Sequence, residues 1–519
     1  MPVEPRRVVF VASECEPWAK TGGLADVVDA LARALGRQGV AVDVFLPAYR
    51  TARRPGATER VTLAVPLGPG ADEQAPDEGD VATVDILSGP ADGYRLRLVD
   101  HPFHFDRVGF YGEAGEDYPD NGSRFALFCR AALEAVRAEG HPVDAIHGHD
   151  WQACLAILYR DVHYAADPFI GRSATVLTIH NLAYHGWVPR GRAAPLQLPD
   201  SVGEPAGVDL LREGIRRADL VTTVSPTYAR EALTPEYGMG LEDDLRARAN
   251  RFIGIMNGID PAVWDPATDH ALPKPYALGA REGGRVASPA VGKEAAKVDL
   301  GRRHGLTEVE ARPLLGMIGR LDPQKGFDLV AGAANEIVSS GASLIVLGSG
   351  DADLLRGLRD VAERRPGRIA VIEAFDRDEA RRIYAGSDVF LMPSRFEPSG
   401  QGQLIAFRYG TPVVARRTGG LADSVEDDDE VPGSGNGFLF DEPAPDALLG
   451  AVRRALDAYA DGPRWRSMRE RVMRLDHSWA RPAREYVAAY RRAITLRRAE
   501  AGPAARPRRP SRGHPVAAP

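Results

Sequence analysis

The stretch from Pro393 to Asp427, PSRFEPSGQGQLIAFRYGTPVVARRTGGLADSVED, decides how the rest of the chain is read. The apolar run Asp388 to Met392 (DVFLM) has the look of a buried parallel strand and leads straight into it. Glu397 and Gly400 therefore fall in the loop at the carboxyl end of that strand, the edge where open α/β sheets bind ligands. Leu404, Ile405 and Phe407 follow at helical spacing, so the loop feeds a helix whose first turn offers free N–H groups to an anion. Pro412 to Ala415 predicts a second strand, and Thr418, Gly419 and Gly420 open a second helix. Two helix N-termini are expected to face one cleft, with a carboxylate between them.

The phrase TGGLAD occurs twice, at Thr21 to Asp26 and at Thr418 to Asp423. A lone copy reads as a tight turn and a helix start. Both copies, however, follow a predicted strand, which suggests two Rossmann-like halves meeting glycine loop to glycine loop. In the first half Val8 to Ala12 (VVFVA) predicts a strand, Leu24, Val27, Val28, Leu31 and Leu35 a helix, and Val40 to Leu46 the next strand. That order makes Gly22 and Gly23 a candidate phosphate cradle.

Three further strand-like runs, Val143 to His147, Ala174 to Ile179 and Leu220 to Val224, each end in polar residues: His147, His149 and Asp150; His180 and Asn181; Ser225. Such a series implies a ligand-lined edge. The alternation resumes with Leu314 to Ile318, Ser343 to Leu347 and Ile369 to Ile372. Between Asp260 and Leu300 the pattern dissolves into Pro, Ala and Gly with scattered charge, as connecting segments do. The expected organisation is an N-terminal Rossmann-like domain over 1–262, an irregular hinge or insert over 263–300, a C-terminal Rossmann-like domain over 301–477, a helix over 478–496 carrying Trp479, Tyr486 and Tyr490, and a disordered basic tail over 497–519.

The composition excludes several classes. A net charge of -7 does not indicate a general nucleic-acid surface. Three cysteines with no C-x-x-C pair argue against a disulfide scaffold or structural zinc. No apolar run approaches the ~18 residues of a membrane helix, and the N-terminal run is too short for a signal-peptide core. A reduced, cytoplasmic protein is expected.

Three constellations suggest chemistry. In GRLDPQKG, Arg320 and Lys325 flank a strand-to-helix loop, where a guanidinium fork and an ammonium can grip a diphosphate; alternatively the loop is a solvated surface turn. HGHDW, His147 to Trp151, invites a metal, but no further clustered Cys or Glu accompanies it, and a sugar or phosphate can use the same donors. Glu397 is either a helix-capping acid or the one anionic group set among donors, as sugar hydroxyls or a developing oxocarbenium charge require.

With KTGGLADV, HGHDW, TIHNLAYHG, TTVSPTYARE, NGID, GRLDPQKG, PSRFEPSG and RRTGGLADSV in this order, the chain resembles the bacterial glycogen synthases and plant starch synthases across residues 6 to 496. The resemblance implies the GT-B arrangement of two facing Rossmann-like α/β domains with an interdomain cleft. It implies transfer of glucose from ADP-glucose to the non-reducing end of an α-1,4-glucan such as glycogen, with retention of anomeric configuration and with neither metal nor cofactor. By the same resemblance Glu397, Lys325, Arg320 and His180 are the catalytic candidates. Lys20, Gly22, Gly23, Thr418, Gly419 and Gly420 belong near the diphosphate, Asp150, Asn257, Ser399 and Gly400 in the substrate pocket, and Tyr118 is a further pocket candidate. Ser399 stands where the family often has Cys, and GQGQLIAFRYG departs from its commoner GLTQLYGLKYG. A UDP-glucose donor, a phosphorylase, and a non-catalytic glucan- or nucleotide-binding protein remain alternatives, while donor preference and oligomeric state lie beyond the sequence.

Overall fold

The computed structural model describes residues 4–50, 52, 58–67, 81–113, 115–280, 284–374 and 376–500. Two sheets organise these residues. The first contains β1 (Arg7–Val11), β2 (Ala41–Pro47), β3 (Glu59–Pro66), β4 (Val81–Ala91), β5 (Tyr94–Asp100), β6 (Ala145–His149), β7 (Ala174–Ile179), β8 (Leu220–Thr223) and β9 (Phe252–Gly254), in the order β9-β8-β7-β6-β1-β2-β5-β4-β3. From β9 to β5 every pairing is parallel; β4 and β3 extend the edge as antiparallel strands. The central strands are apolar and buried on both faces, as parallel strands covered by helices must be.

The second sheet contains β10 (Leu314–Leu321), β11 (Ser343–Gly350), β12 (Ile369–Glu373), β13 (Val389–Met392), β14 (Val413–Arg416) and β15 (Gly437–Phe440), ordered β12-β11-β10-β13-β14-β15 and parallel throughout. Each sheet reverses its strand order beside its first strand, at β1 and β10, and at such switch points the strand ends splay to leave a crevice. The molecule is thus a pair of Rossmann-like α/β domains, and the crevices of the two sheets open towards each other.

Among the helices packed around these sheets are α1 (Gly23–Arg37), α2 (Pro226–Glu231), α3 (Pro289–His304), α4 (Gly402–Arg408), α5 (Gly419–Ser424) and α6 (Ala480–Glu500). The chain crosses between the domains twice, side by side: Ile259 pairs with Ser478 in a parallel bridge, and the Ile259 amide donates to the His477 carbonyl at 2.8 Å. After the second crossing α6 lies on the first domain, where Tyr490 hydrogen-bonds His147 and the Arg497 guanidinium donates to the Gly171 carbonyl.

Two expectations change here. α3 begins inside 263–300, and the described residues of that stretch pack on the second domain: the Tyr276 hydroxyl donates to the Tyr409 carbonyl, and the buried Lys293 ammonium donates to the Ala385 carbonyl at 2.7 Å and to Thr411 Oγ1 at 2.6 Å. Its many Pro, Ala and Gly residues hide a helix begun by Pro289 and ended at Gly305 in the left-handed region. Arg497 to Glu500, expected in the tail, continue α6. The rest of that basic tail, 501–519, lies outside the described residues.

Candidate active site

A cavity of about 490 Å³ lies between the carboxyl ends of the two sheets. From the first domain it is lined by Glu14, Thr21, Gly22, Gly23, Tyr111, Asp150, Trp151, Gln152, His180 and Asn181, and from the second by Arg320, Gln324, Lys325, Glu397, Ser399, Gly400 and Gln401, with Asn257 at the crossing. Local sequence explains each placement. β1 ends at Val11 and sends Glu14 into the loop before α1; β6 ends at His149 and releases Asp150; β7 ends at Ile179 and releases His180; β10 carries Arg320 at its end; β13 ends at Met392 just before the Glu397 loop.

Of the residues chosen from sequence, Gly22, Gly23, Asp150, His180, Asn257, Arg320, Lys325, Glu397, Ser399 and Gly400 line this cavity. Five others do not. The Lys20 ammonium is held by the carboxylates of Asp26 at 2.5 Å and Glu16 at 3.4 Å. The Tyr118 ring packs between the guanidinium groups of Arg107 and Arg124, each 4.9 Å from its centroid. Thr418, Gly419 and Gly420 correct the expectation of a second phosphate loop: Thr418 Oγ1 and the Gly419 amide both donate to the carboxylate of Glu231, at 3.0 Å each, and the Gly420 amide donates to the Glu397 carbonyl at 2.9 Å. The donors meant for an anion are taken by a side chain of the first domain and by the backbone of the Glu397 loop.

The sequence reading missed Glu14. Its carboxylate accepts from the Thr21 amide (2.6 Å), Thr21 Oγ1 (2.5 Å), the Gly22 amide (3.1 Å) and the Tyr111 hydroxyl (2.8 Å). It is buried and fixes the first glycine loop against the end of β1. An acid two residues beyond an apolar strand and seven before the loop threonine was the available signal. Tyr111 and Gln152 left none, because their approach to the cavity depends on tertiary packing.

Glu397 is buried, and its Oε2 accepts from the Lys325 ammonium at 2.6 Å and from Ser394 Oγ at 2.9 Å. A charge removed from water needs such a partner. Arg320, by contrast, has a side chain 57% exposed, and its nearest acid, Asp322, is 3.9 Å away, which leaves its guanidinium available to an anion in the cavity. Asp150 holds a positive φ of 57° with ψ -174°, a strained conformation for a residue other than glycine. Its Oδ1 accepts from the His180 amide at 2.7 Å, yet burial pushes the carboxyl up to about 7. Burial pushes His180 the other way, down to about 3, so its ring is neutral. The buried side-chain oxygens of Asn257 and Ser399 have no partner among the described residues, an arrangement native interiors avoid unless something else supplies the hydrogen bond.

Among the described residues, no group of three or more His, Cys, Asp or Glu side chains is disposed to hold a metal ion. In HGHDW both nitrogens of His147 are engaged, with the Tyr490 hydroxyl and Thr178 Oγ1. No described helix is long and apolar enough to cross a membrane.

Comparison with known proteins decides the family. Residues 7–247 match the starch synthase catalytic domain and residues 312–458 match the glycosyl transferases group 1. A glycogen synthase of Syntrophotalea carbinolica (strain DSM 2380 / NBRC 103641 / GraBd1) is 40% identical over 95% of this chain and 100% of its own. The chain belongs to the glycogen and starch synthase family. It is accordingly a glycosyltransferase. The catalytic domain of starch synthase IV from Arabidopsis thaliana, solved bound to ADP and acarbose, superposes with a TM-score of 0.83 at 33% identity, over 95% of this chain and 100% of that one. Sucrose-phosphate synthase from Thermosynechococcus elongatus, at 18% identity and a TM-score of 0.57 over 94% of this chain and 99% of its own, shares the GT-B fold. Against this family background the interdomain cavity, with its glycine loop on one wall and Arg320, Lys325 and Glu397 on the other, is the candidate active site.

Proposed function

We propose that this glycosyltransferase moves glucose from ADP-glucose to the non-reducing 4-hydroxyl of an α-1,4-glucan, keeps the anomeric configuration and releases ADP. The observation that carries the reading is one cavity with an open glycine loop, Gly22 and Gly23, facing a largely exposed guanidinium, Arg320, whose nearest acid lies 3.9 Å away, and an ion-paired acid, Glu397. A Cβ built on either of these glycines meets nothing within 4 Å, so the loop leaves room for a bulky ligand. ADP bound to the starch synthase IV domain supports adenosine diphosphate as the leaving group.

In the transfer, the bond from the anomeric carbon to the diphosphate oxygen breaks as the acceptor oxygen bonds to the same face. The acceptor proton passes to the departing phosphate. Charge develops on the diphosphate, and Arg320, with Lys325 beside it, stabilises that charge in a site that need not reorganise. Glu397 holds Lys325 in place and sets a negative charge near the glucosyl unit, where oxocarbenium character grows. Asp150, His180, Asn257 and Ser399 supply hydrogen bonds to sugar hydroxyls. Lys20 joins only if it leaves Asp26 and Glu16. On this reading no metal or cofactor takes part, and the protein works in the cytoplasm. Release of ADP or UDP, measured with glycogen and either glucose donor, tests it: ADP-glucose supports turnover and UDP-glucose supports little, whereas the reverse preference overturns the donor assignment.

A further inference from the structure

One imidazole beside the cavity is half satisfied. His147 and His149 close β6 with ring centroids 4.1 Å apart, and both are fully buried. His147 uses both nitrogens, Nδ1 with the Tyr490 hydroxyl at 2.8 Å and Nε2 with Thr178 Oγ1 at 2.6 Å. His149 uses one: its Nδ1 lies 3.1 Å from Nε2 of His180, while its Nε2 is buried with no partner among the described residues. Burial holds His149 and His180 in the neutral form, so a single proton lies in the bond between them.

That proton can belong to either ring, and the two cases leave different defects. If His180 donates, the proton of His149 sits on Nε2, an N–H buried without an acceptor among the described residues. If His149 donates from Nδ1, only a lone pair is left unmet, which proteins tolerate more readily. The second case fixes the tautomer of His180 as well: its Nε2 accepts, and its own proton must sit on Nδ1. Among the described residues that nitrogen takes part in no hydrogen bond, and the residue lines the cavity.

We propose that His149 is a positioning residue which locks His180 in the Nδ1–H tautomer, so that His180 presents a hydrogen-bond donor, not an acceptor, to a hydroxyl oxygen of the sugar. The ligand class rests on the reading under Proposed function; the tautomer does not. His149 touches no substrate itself and acts through the ring it orients, as outer-layer histidine partners do elsewhere.

The test uses the full chain with ¹⁵N-histidine and long-range ¹H–¹⁵N correlation in the absence of substrate, with His180 assigned through His180→Gln. The expected result is a protonated Nδ1 and a bare Nε2 on His180; the opposite pattern overturns the proposal. Kinetics with ADP-glucose and glycogen supply a second reading. His149→Asn keeps an amide donor near the Nδ1 position and is expected to hold kcat/KM within roughly threefold of the parent, whereas His149→Phe keeps the volume, loses the donor and falls roughly tenfold or more. If both variants lose activity alike and in step with their melting temperatures, His149 is only a packing residue and the proposal fails. A protonated Nδ1 in a chain with no glucosyl transfer sinks the functional reading instead and leaves the tautomer standing.

Discussion

Thr21 to Asp26 and Thr418 to Asp423 spell the same six residues, and both fold into a turn that opens a helix around a carboxylate. In the first copy that carboxylate is Glu14, from the same domain; in the second it is Glu231, from the opposite one. The contact in the second copy is mutual, because Asp423 at its end accepts from the amide and hydroxyl of Thr227 at the start of α2, at 2.7 Å each. Each of two facing helices thus lends an acid to the first turn of the other. The glycines differ just as sharply. Those of the first copy face open space, whereas a Cβ on Gly420 would sit 1.9 Å from the Ser399 carbonyl oxygen. One copy keeps glycine so that a ligand can approach; the other keeps it so that the Glu397 loop can pack.

Substitutions can break this contrast. Gly420→Ala should have the largest effect on stability, a loss of ~4 kcal/mol or more, because backbone must shift at Ser399; thermal unfolding measures it, and a parent-like melting temperature would contradict the packing role. Asp150→Asn sharpens the picture on the cavity side, where Glu14 adds to the upward push on the Asp150 carboxyl. An acid with a raised native pKa holds a proton that the unfolded chain has released, so it lowers stability progressively as pH rises from about 4 to about 7, and fully above that. The variant lacks this cost. Its stability relative to the parent should rise between pH 5 and pH 8, by on the order of 2–4 kcal/mol at the upper end, and taking the difference removes the opposing contribution of the buried histidines.

Glu231→Ala strips the acid from the second copy and should cost ~1–3 kcal/mol, seen in denaturant titration, while leaving the Thr227–Asp423 contact intact. Gly22→Ala is the smallest perturbation of the fold. Its φ of -150° suits any residue and its Cβ direction is empty, so stability should stay within ~0.5 kcal/mol while KM for the sugar nucleotide rises.

The same contrast marks how far the sequence could be read. Strand runs followed by polar residues put Asp150, His180, Arg320 and Glu397 at sheet edges, and parallel topology then brought them to one crevice; that logic is local and needs only pattern. Whether a loop's N–H groups stay free is not local. Thr418 and Gly419 are occupied by an acid from the far domain, and Lys20 turns to Asp26 and Glu16, contacts that no spacing announces. The helix that begins inside 263–300 escaped because its apolar residues do not form a stripe: α3 buries Lys293 and Lys297 along with Ala296 and Leu300.

The central claim is that Arg320 and Lys325, on one wall of the cavity, draw a diphosphate away from its hexose while Glu397 holds Lys325 in place. Steady-state ADP release from ADP-glucose and glycogen by Glu397→Gln, with ADP affinity measured alongside by calorimetry, tests it most directly. The account predicts turnover lowered by roughly a hundredfold or more with ADP binding preserved; parent-like turnover would contradict it.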